Sequence, residues 1–265
     1  VIDRIISVNS SVRRSSYVES MDTKQEINID LNLVDLNVRD PYQDIKVVIC
    51  QNGRWDNAIT GLQPAFINNN AIIYPQDGSN LIDGGNEFRV FSIKTTKYIT
   101  EHVKSITFNG KTNSFKLLND EPRRYKNYEK VDDINGKFYI LNEMSTDYDV
   151  TSDYVEVLFE LQYPEPEPQG EIHLFGALVN WEVNEDSKMQ YDSISRSYRK
   201  TLLLKQGIYN YQYAYVDNLS QTIDCSYEEN SHYETENDYY IFVYHRDILT
   251  NIDSVVGFSY ITNKL

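Results

Sequence analysis

The side chains that could do chemistry in this 265-residue chain are mostly carboxylates: 40 Asp and Glu stand against 25 Lys and Arg and four His, for a formal charge of −15. A glycosidase needs only two carboxylates facing each other across a cleft, but abundance alone does not place such a pair. Asp147, Asp149 and Asp153, and the run Glu228, Glu229, Glu234, Glu236 and Asp238, offer calcium-type oxygen donors without the spacing of an EF-hand loop. Both runs read as solvated acidic loops. His102, His173, His232 and His245 lie far apart with no HExxH spacing, so no zinc site is expected. Neither GxSxG nor a papain-like cysteine context occurs, so there is no activated nucleophile to point to. Cys50 and Cys225 are too few for a disulfide framework and read as free thiols. No cofactor or metal is called for, and a glycosidase remains a class that would need a concave site with two facing carboxylates. The acidic balance also argues against a nucleic-acid partner, which needs clustered Lys and Arg.

Aromatic residues are the other chemistry on offer, with 22 Tyr, 10 Phe and two Trp. Trp181, Tyr209 and Tyr211 are the candidate ligand or partner contacts, because flat rings can stack on a sugar or fill a protein interface. Trp181 is also readable as a structural turn aromatic, and Trp55 as a packing residue beside a turn. Tyr209, Tyr211, Tyr213 and Tyr215 recur at every second residue, the period of a strand, so four rings line one face. Gly207 precedes them and follows Leu202, Leu203 and Leu204, which predicts a chain reversal in an antiparallel hairpin. Gly84-Gly85 lacks GxGxxG spacing and a Walker lysine, and reads as backbone geometry rather than a phosphate cradle.

The elements that must position these residues are strands. Ile27, Ile29, Leu31 and Leu33 alternate with polar residues, and the parity then slips to Val34, Leu36 and Val38, which predicts a β-bulge or a strand that crosses from one sheet to another. Ile45 to Cys50 reads as a strand covered on both faces. Asn52-Gly53 and Asn135-Gly136 are two-residue turn signals. Val155, Val157, Phe159 and Leu161 alternate with Glu156 and Glu160. Tyr163 to Gly170 holds three prolines that cannot join a ladder, and reads as a stiff linker. The expected fold class is all-β: a β-sandwich over 1–162, a Pro/Glu linker at 163–170 and an immunoglobulin-like sandwich over 171–265. No apolar run approaches the roughly 18 residues of a spanning helix, so no direct membrane span is expected. The chain opens on Val1 rather than Met and reads as a processed or truncated piece, which leaves its compartment open.

Gly176-Ala-Leu-Val-Asn-Trp181, Met189 and the segment from Leu202 to Tyr213 resemble early-set immunoglobulin-like domains akin to glycogen-binding modules, with Gly176, Trp181, Gly207, Tyr209 and Tyr211 at matching positions. Gln212 stands where those modules usually carry a lysine, and Asp217-Asn218 lies one residue late of their aspartate-glycine pair. This resemblance implies a carbohydrate-binding alternative. A second resemblance runs along nearly the whole chain: RRSSYVESMDTKQEINIDL, DPYQDIKVVICQNGRWDNAI, GGNEFRVFSIKT, YEKVDDINGKFYI, SDYVEVLFEL and SHYETENDYYIFVYHRD follow one another as in the family formerly called domain of unknown function 5103. Its members resemble the type IX secretion plug protein. That resemblance implies a periplasmic protein of Bacteroidota, with a further β domain ahead of this region. It also implies a non-enzymatic role: closing the periplasmic mouth of the giant outer-membrane translocon barrel (SprA-type) when no substrate occupies it.

Overall fold

A computed structural model describes residues 6–33, 36, 38–68, 70–74, 77–144 and 146–263. In chain order the strands begin with β1 (Ser7–Arg14), β2 (Lys24–Asn32), β3 (Ile45–Gln51), β4 (Phe66–Asn68), β5 (Ala71–Ile73) and β6 (Leu81–Asp83). They continue with β7 (Arg89–Ser92), β8 (Val103–Phe108), β9 (Asn113–Leu117), β10 (Phe138–Ile140), β11 (Tyr154–Gln162) and β12 (Gly170–Phe175). The last are β13 (Gln190–Asp192), β14 (Ser197–Lys205), β15 (Gly207–Asp217), β16 (Ile223–Asp224), β17 (Asp238–Arg246) and β18 (Asp253–Thr262). Among the described residues helix is confined to one-turn pieces: α1 (Pro41–Asp44), α2 (Tyr148–Thr151) and α3 (Ser226–Glu229), with a 3-10 turn at Ala177–Val179. The all-β expectation holds.

The division of the chain differs from the expected one. Two compact units are present, Val1–Gly85 with Ser231–Leu265, and Asn86–Asn230. The Pro-rich stretch does not join them. It carries the chain from β11 to β12, which lie in two different sheets of the second unit. Prolines exclude a segment from a ladder, and a crossover between two sheets satisfies that condition as well as an interdomain spacer does. The expected 171–265 domain is likewise split, because β17 pairs with β3 from Tyr239↔Gln51 to His245↔Ile45.

In the first unit β1, β2, β5 and β4 form one sheet, with β6 also on β2, while β18, β17 and β3 form another. Ile27, Ile29 and Leu31 are buried as their alternation predicts, and meet Ile45, Val47 and Ile49 of β3 and Tyr239, Ile241 and Val243 of β17 in one core. Val34, where the parity slip was placed, lies outside the described residues; β2 ends at Asn32. Both Asn-Gly signals are turns with two positive φ angles, 56° and 76° at Asn52-Gly53 and 54° and 76° at Asn135-Gly136. Gly84-Gly85 serves backbone proximity: a Cβ on Gly84 would sit 2.0 Å from the His232 carbonyl oxygen.

In the second unit β15 is the central strand, pairing with β12, β10, β7 and β16, and the other sheet runs β13-β14-β11-β9-β8. β14 and β15 therefore do not form the expected hairpin. The chain bends at Gln206 and passes from one sheet to the other, so Leu202 to Leu204 and the tyrosine strand belong to different layers. Gly207 is needed for close approach rather than for a turn, since a Cβ there would lie 2.3 Å from the Tyr139 carbonyl oxygen. Gly207→Ala is expected to cost about 1–3 kcal/mol through backbone displacement; a urea denaturation midpoint unchanged from the parent would refute this.

Candidate functional site

Tyr209, Tyr211 and Tyr213 do share one face of β15, but that face is the interior of the sandwich. Tyr209 is 2% exposed, stacked between Phe91 and Phe138 at 5.3 and 5.2 Å, and its hydroxyl donates to the Lys205 carbonyl at 2.5 Å. Tyr211 is wholly buried and donates to Asp120 Oδ2 at 2.6 Å. Neither ring offers a face to a ligand, which corrects their candidacy as contacts. Tyr215, fourth in the series, is half-buried and stacks on Tyr227 at 4.2 Å.

Trp181 follows Asn180 in the left-handed region, with φ 60° after 56°. Its half-buried indole meets Phe175 and Phe88 edge-on at 5.4 and 5.8 Å. A Cβ on Gly136 would come within 2.2 Å of the indole Cη2. The second Asn-Gly turn therefore makes room for this ring, and the turn-aromatic reading describes Trp181 better than a stacking platform does. The structure does not bring Trp181 together with Tyr209 and Tyr211 at a common surface; both tyrosines face inward.

What converges instead is a buried ionic network in the second unit. Asp120, just after β9, accepts Tyr211 Oη, Tyr213 Oη at 2.7 Å and Arg89 Nη1 at 2.8 Å, with His102 Nε2 3.2 Å away. Arg89, on β7, also grips Glu229 through Nε at 2.9 Å and Nη2 at 3.0 Å. Glu229, on α3, accepts Arg123 Nε at 2.6 Å and the Tyr213 amide at 3.0 Å. Beside it, Glu228 Oε1 accepts Arg124 Nη2 at 2.7 Å and lies 3.0 Å from Tyr163 Oη. The Arg124 guanidinium stacks over the Tyr227 ring at 4.3 Å.

The sequence reading of Glu228 and Glu229 as a solvated loop is therefore corrected: their side chains are 0% and 1% exposed. Arg89, Arg123 and Arg124 draw them inward. These arginines are the residues the sequence reading missed, and the adjacent Arg123-Arg124 pair in an acidic chain was the available signal. Burial opposes the charge on Asp120, but Arg89, His102 and Tyr211 outweigh it and hold its carboxyl below the usual range. Burial likewise works against Glu229, and Arg123 and Arg89 outweigh it. Each ion costs several kcal/mol to desolvate, which two-pronged arginine contacts and phenolic donors offset. Asp120 and Glu229 are consumed in bracing strands to one another and leave no lone pair poised for general base catalysis. Of the first unit's acids in the same run, Asp238 is buried and accepts Tyr260 Oη at 2.7 Å and Thr262 Oγ1 at 2.9 Å.

Among the described residues no group of three or more His, Cys, Asp or Glu side chains could hold a metal ion. Cys50 and Cys225 form no disulfide, and burial pushes the Cys50 thiol up to about 11.

Comparison with known proteins adds a fold relative. No known family profile and no curated protein matches the chain. The chain is similar to a solved structure, the crystal structure of a hypothetical protein from Parabacteroides merdae, which matches with a TM-score of 0.93 and 32% identity over 99% of this chain. The present chain spans 66% of that protein's length.

Proposed function

We propose that this chain is a non-enzymatic periplasmic plug that closes the periplasmic opening of the type IX outer-membrane translocon while no substrate occupies it. The observation that carries this reading on the structural side is the way the second unit spends its buried charge. Asp120 and Glu229 are tied by arginine and tyrosine donors to several strands at once, which favours a stiff body over an adaptable cleft. A stiff body suits an opening that must stay shut. The series of motifs resembling the secretion plug family supplies the partner. The longer solved relative has room for the additional domain that this resemblance implies.

Affinity purification of the full-length protein from its own cells, with secretion substrates present or depleted, tests the assignment. The translocon barrel is expected to co-purify chiefly when substrates are depleted, and less at high salt, because an interface guided by a net charge of −15 is screened by ions. Recovery of soluble glycans or a periplasmic enzyme, with no barrel in either condition, would overturn it.

A further inference from the structure

The Pro-rich crossover is not a free spacer. Glu167, at its centre, donates its amide to Tyr198 Oη at 2.7 Å, and its Oε2 accepts Tyr227 Oη at 3.0 Å and lies 3.1 Å from Tyr163 Oη. Tyr163 Oη is thus shared by three polar neighbours: Glu167 Oε2, Glu228 Oε1 at 3.0 Å, and Arg124 Nη2, which donates to it. A phenol has one hydrogen and two lone pairs. Its hydrogen can serve one carboxylate only. The other carboxylate then faces the phenolic oxygen with no hydrogen between them, unless one of the acids carries a proton.

The surroundings say which acid that is. Glu167 is half-buried and has Tyr227 as a second donor. Glu228 is fully buried, and its Oε2 has no hydrogen-bond partner among the described residues. An ionised carboxylate with a bare, buried oxygen is costly, whereas the carbonyl of a neutral acid is much less so. With a proton on Glu228 Oε1 every site on the phenol is used: it accepts from Glu228 and Arg124 and donates to Glu167.

We propose that Glu228 is a buried carboxylic acid whose proton closes a clamp on the Tyr163–Gly170 crossover, so that the segment is gripped while Glu228 is protonated and released when it ionises. The groups facing Glu228 come from every element around it. α3 contributes Tyr227 and Glu229, the latter already neutralised by Arg89 and Arg123. Arg124 comes from the segment after β9, Tyr163 from the end of β11, Glu167 from the crossover and Tyr198 from β14. Once Glu228 is ionised, two carboxylates compete for one phenolic hydrogen. Glu167, on the exposed side, is the one that leaves.

Burial raises the Glu228 carboxyl from an ordinary 4.5 to about 7, against the pull of Arg124 and Tyr163, with Glu229 adding to the rise. Between those two values the closed clamp holds a proton that the open one lacks. Opening therefore grows with pH across that window, by at most about tenfold per pH unit as far as release uncovers Glu228 to water, and levels off above it.

NMR of the whole chain, following carbon-labelled glutamate carboxyls and the exchange protection of the Glu167 amide from about pH 4 to about pH 9, tests the clamp. One glutamate is expected to titrate near 7 and to be missing from Glu228→Gln. Glu167 protection is expected to fall with pH, by up to about tenfold per pH unit, up to that point in the parent, and to be flat in the variant. Glutamates that all titrate below about 5, or the same slope in both proteins, would overturn the proposal. Should Glu228→Gln fail to fold, Tyr163→Phe takes its place: it removes the shared hydroxyl but keeps the Glu228–Arg124 contact, and must abolish the slope at Glu167. A slope that persists in Tyr163→Phe would overturn the clamp.

Discussion

Arg89→Met is expected to lower the unfolding free energy by about 3–5 kcal/mol. Methionine keeps most of the volume, so the cost is electrostatic. Asp120 loses its 2.8 Å contact and Glu229 loses both of its contacts to this guanidinium, while both carboxylates stay buried. An exposed pair provides the contrast: Arg246 and Asp253 are 40% and 34% exposed, and Arg246→Met is expected to cost far less, since water screens the pair. The size of the acid response separates the network from simple packing. In the parent, Asp120 and Glu229 are held below their ordinary pKa values, so they add stability above those values and lose it as pH falls through the folded ones. Without Arg89 that hold weakens, while Arg123 still faces Glu229 and His102 and Tyr211 still face Asp120, so less stability should be lost in acid. Urea denaturation below about pH 4.5, beneath the window in which Glu228 titrates, reads this directly. A loss under about 1 kcal/mol with an unchanged acid slope would show that the network is not what braces the sandwich.

How far the sequence could be read follows from the range over which each signal acts. Ile27, Ile29 and Leu31 were legible because strand alternation is local, and so were the two Asn-Gly turns. The parity of Tyr209, Tyr211 and Tyr213 was legible too. Their destination was not, because a phenol looks suited to a wet surface until a buried acceptor such as Asp120, about 90 residues away, takes its hydrogen. Prolines at Pro164, Pro166 and Pro168 announce a segment outside any ladder. They do not say whether it joins domains or layers, and that ambiguity misplaced the division of the chain. The pairing of β17 with β3 has no local signature at all, since its two partners are separated by the whole second unit. The acids at Glu228 and Glu229 were misread for the same reason: their arginines come from Arg89, Arg123 and Arg124, which only the fold brings near them.

Phe159→Ala should match the loss expected for Arg89→Met, at about 3–5 kcal/mol, by a different route. The Phe159 ring has no exposure and packs edge-on against Phe91 at 5.3 Å and Tyr211 at 5.2 Å, joining β11 of one sheet to β7 and β15 of the other. Truncation removes the ring's transfer energy and leaves a cavity that a close-packed aromatic cluster cannot fill. The side chain carries no charge, so its loss should be independent of pH in the range where the loss from Arg89→Met changes. Phe91→Leu, combined with Phe159→Ala in a double-mutant cycle, should show a coupling of about 0.5–1.5 kcal/mol from the edge-to-face pair. Coupling near zero would mean that the two rings contribute only buried area. The cost of Phe159→Ala would then belong to the cavity rather than to the geometry by which the two sheets grip each other.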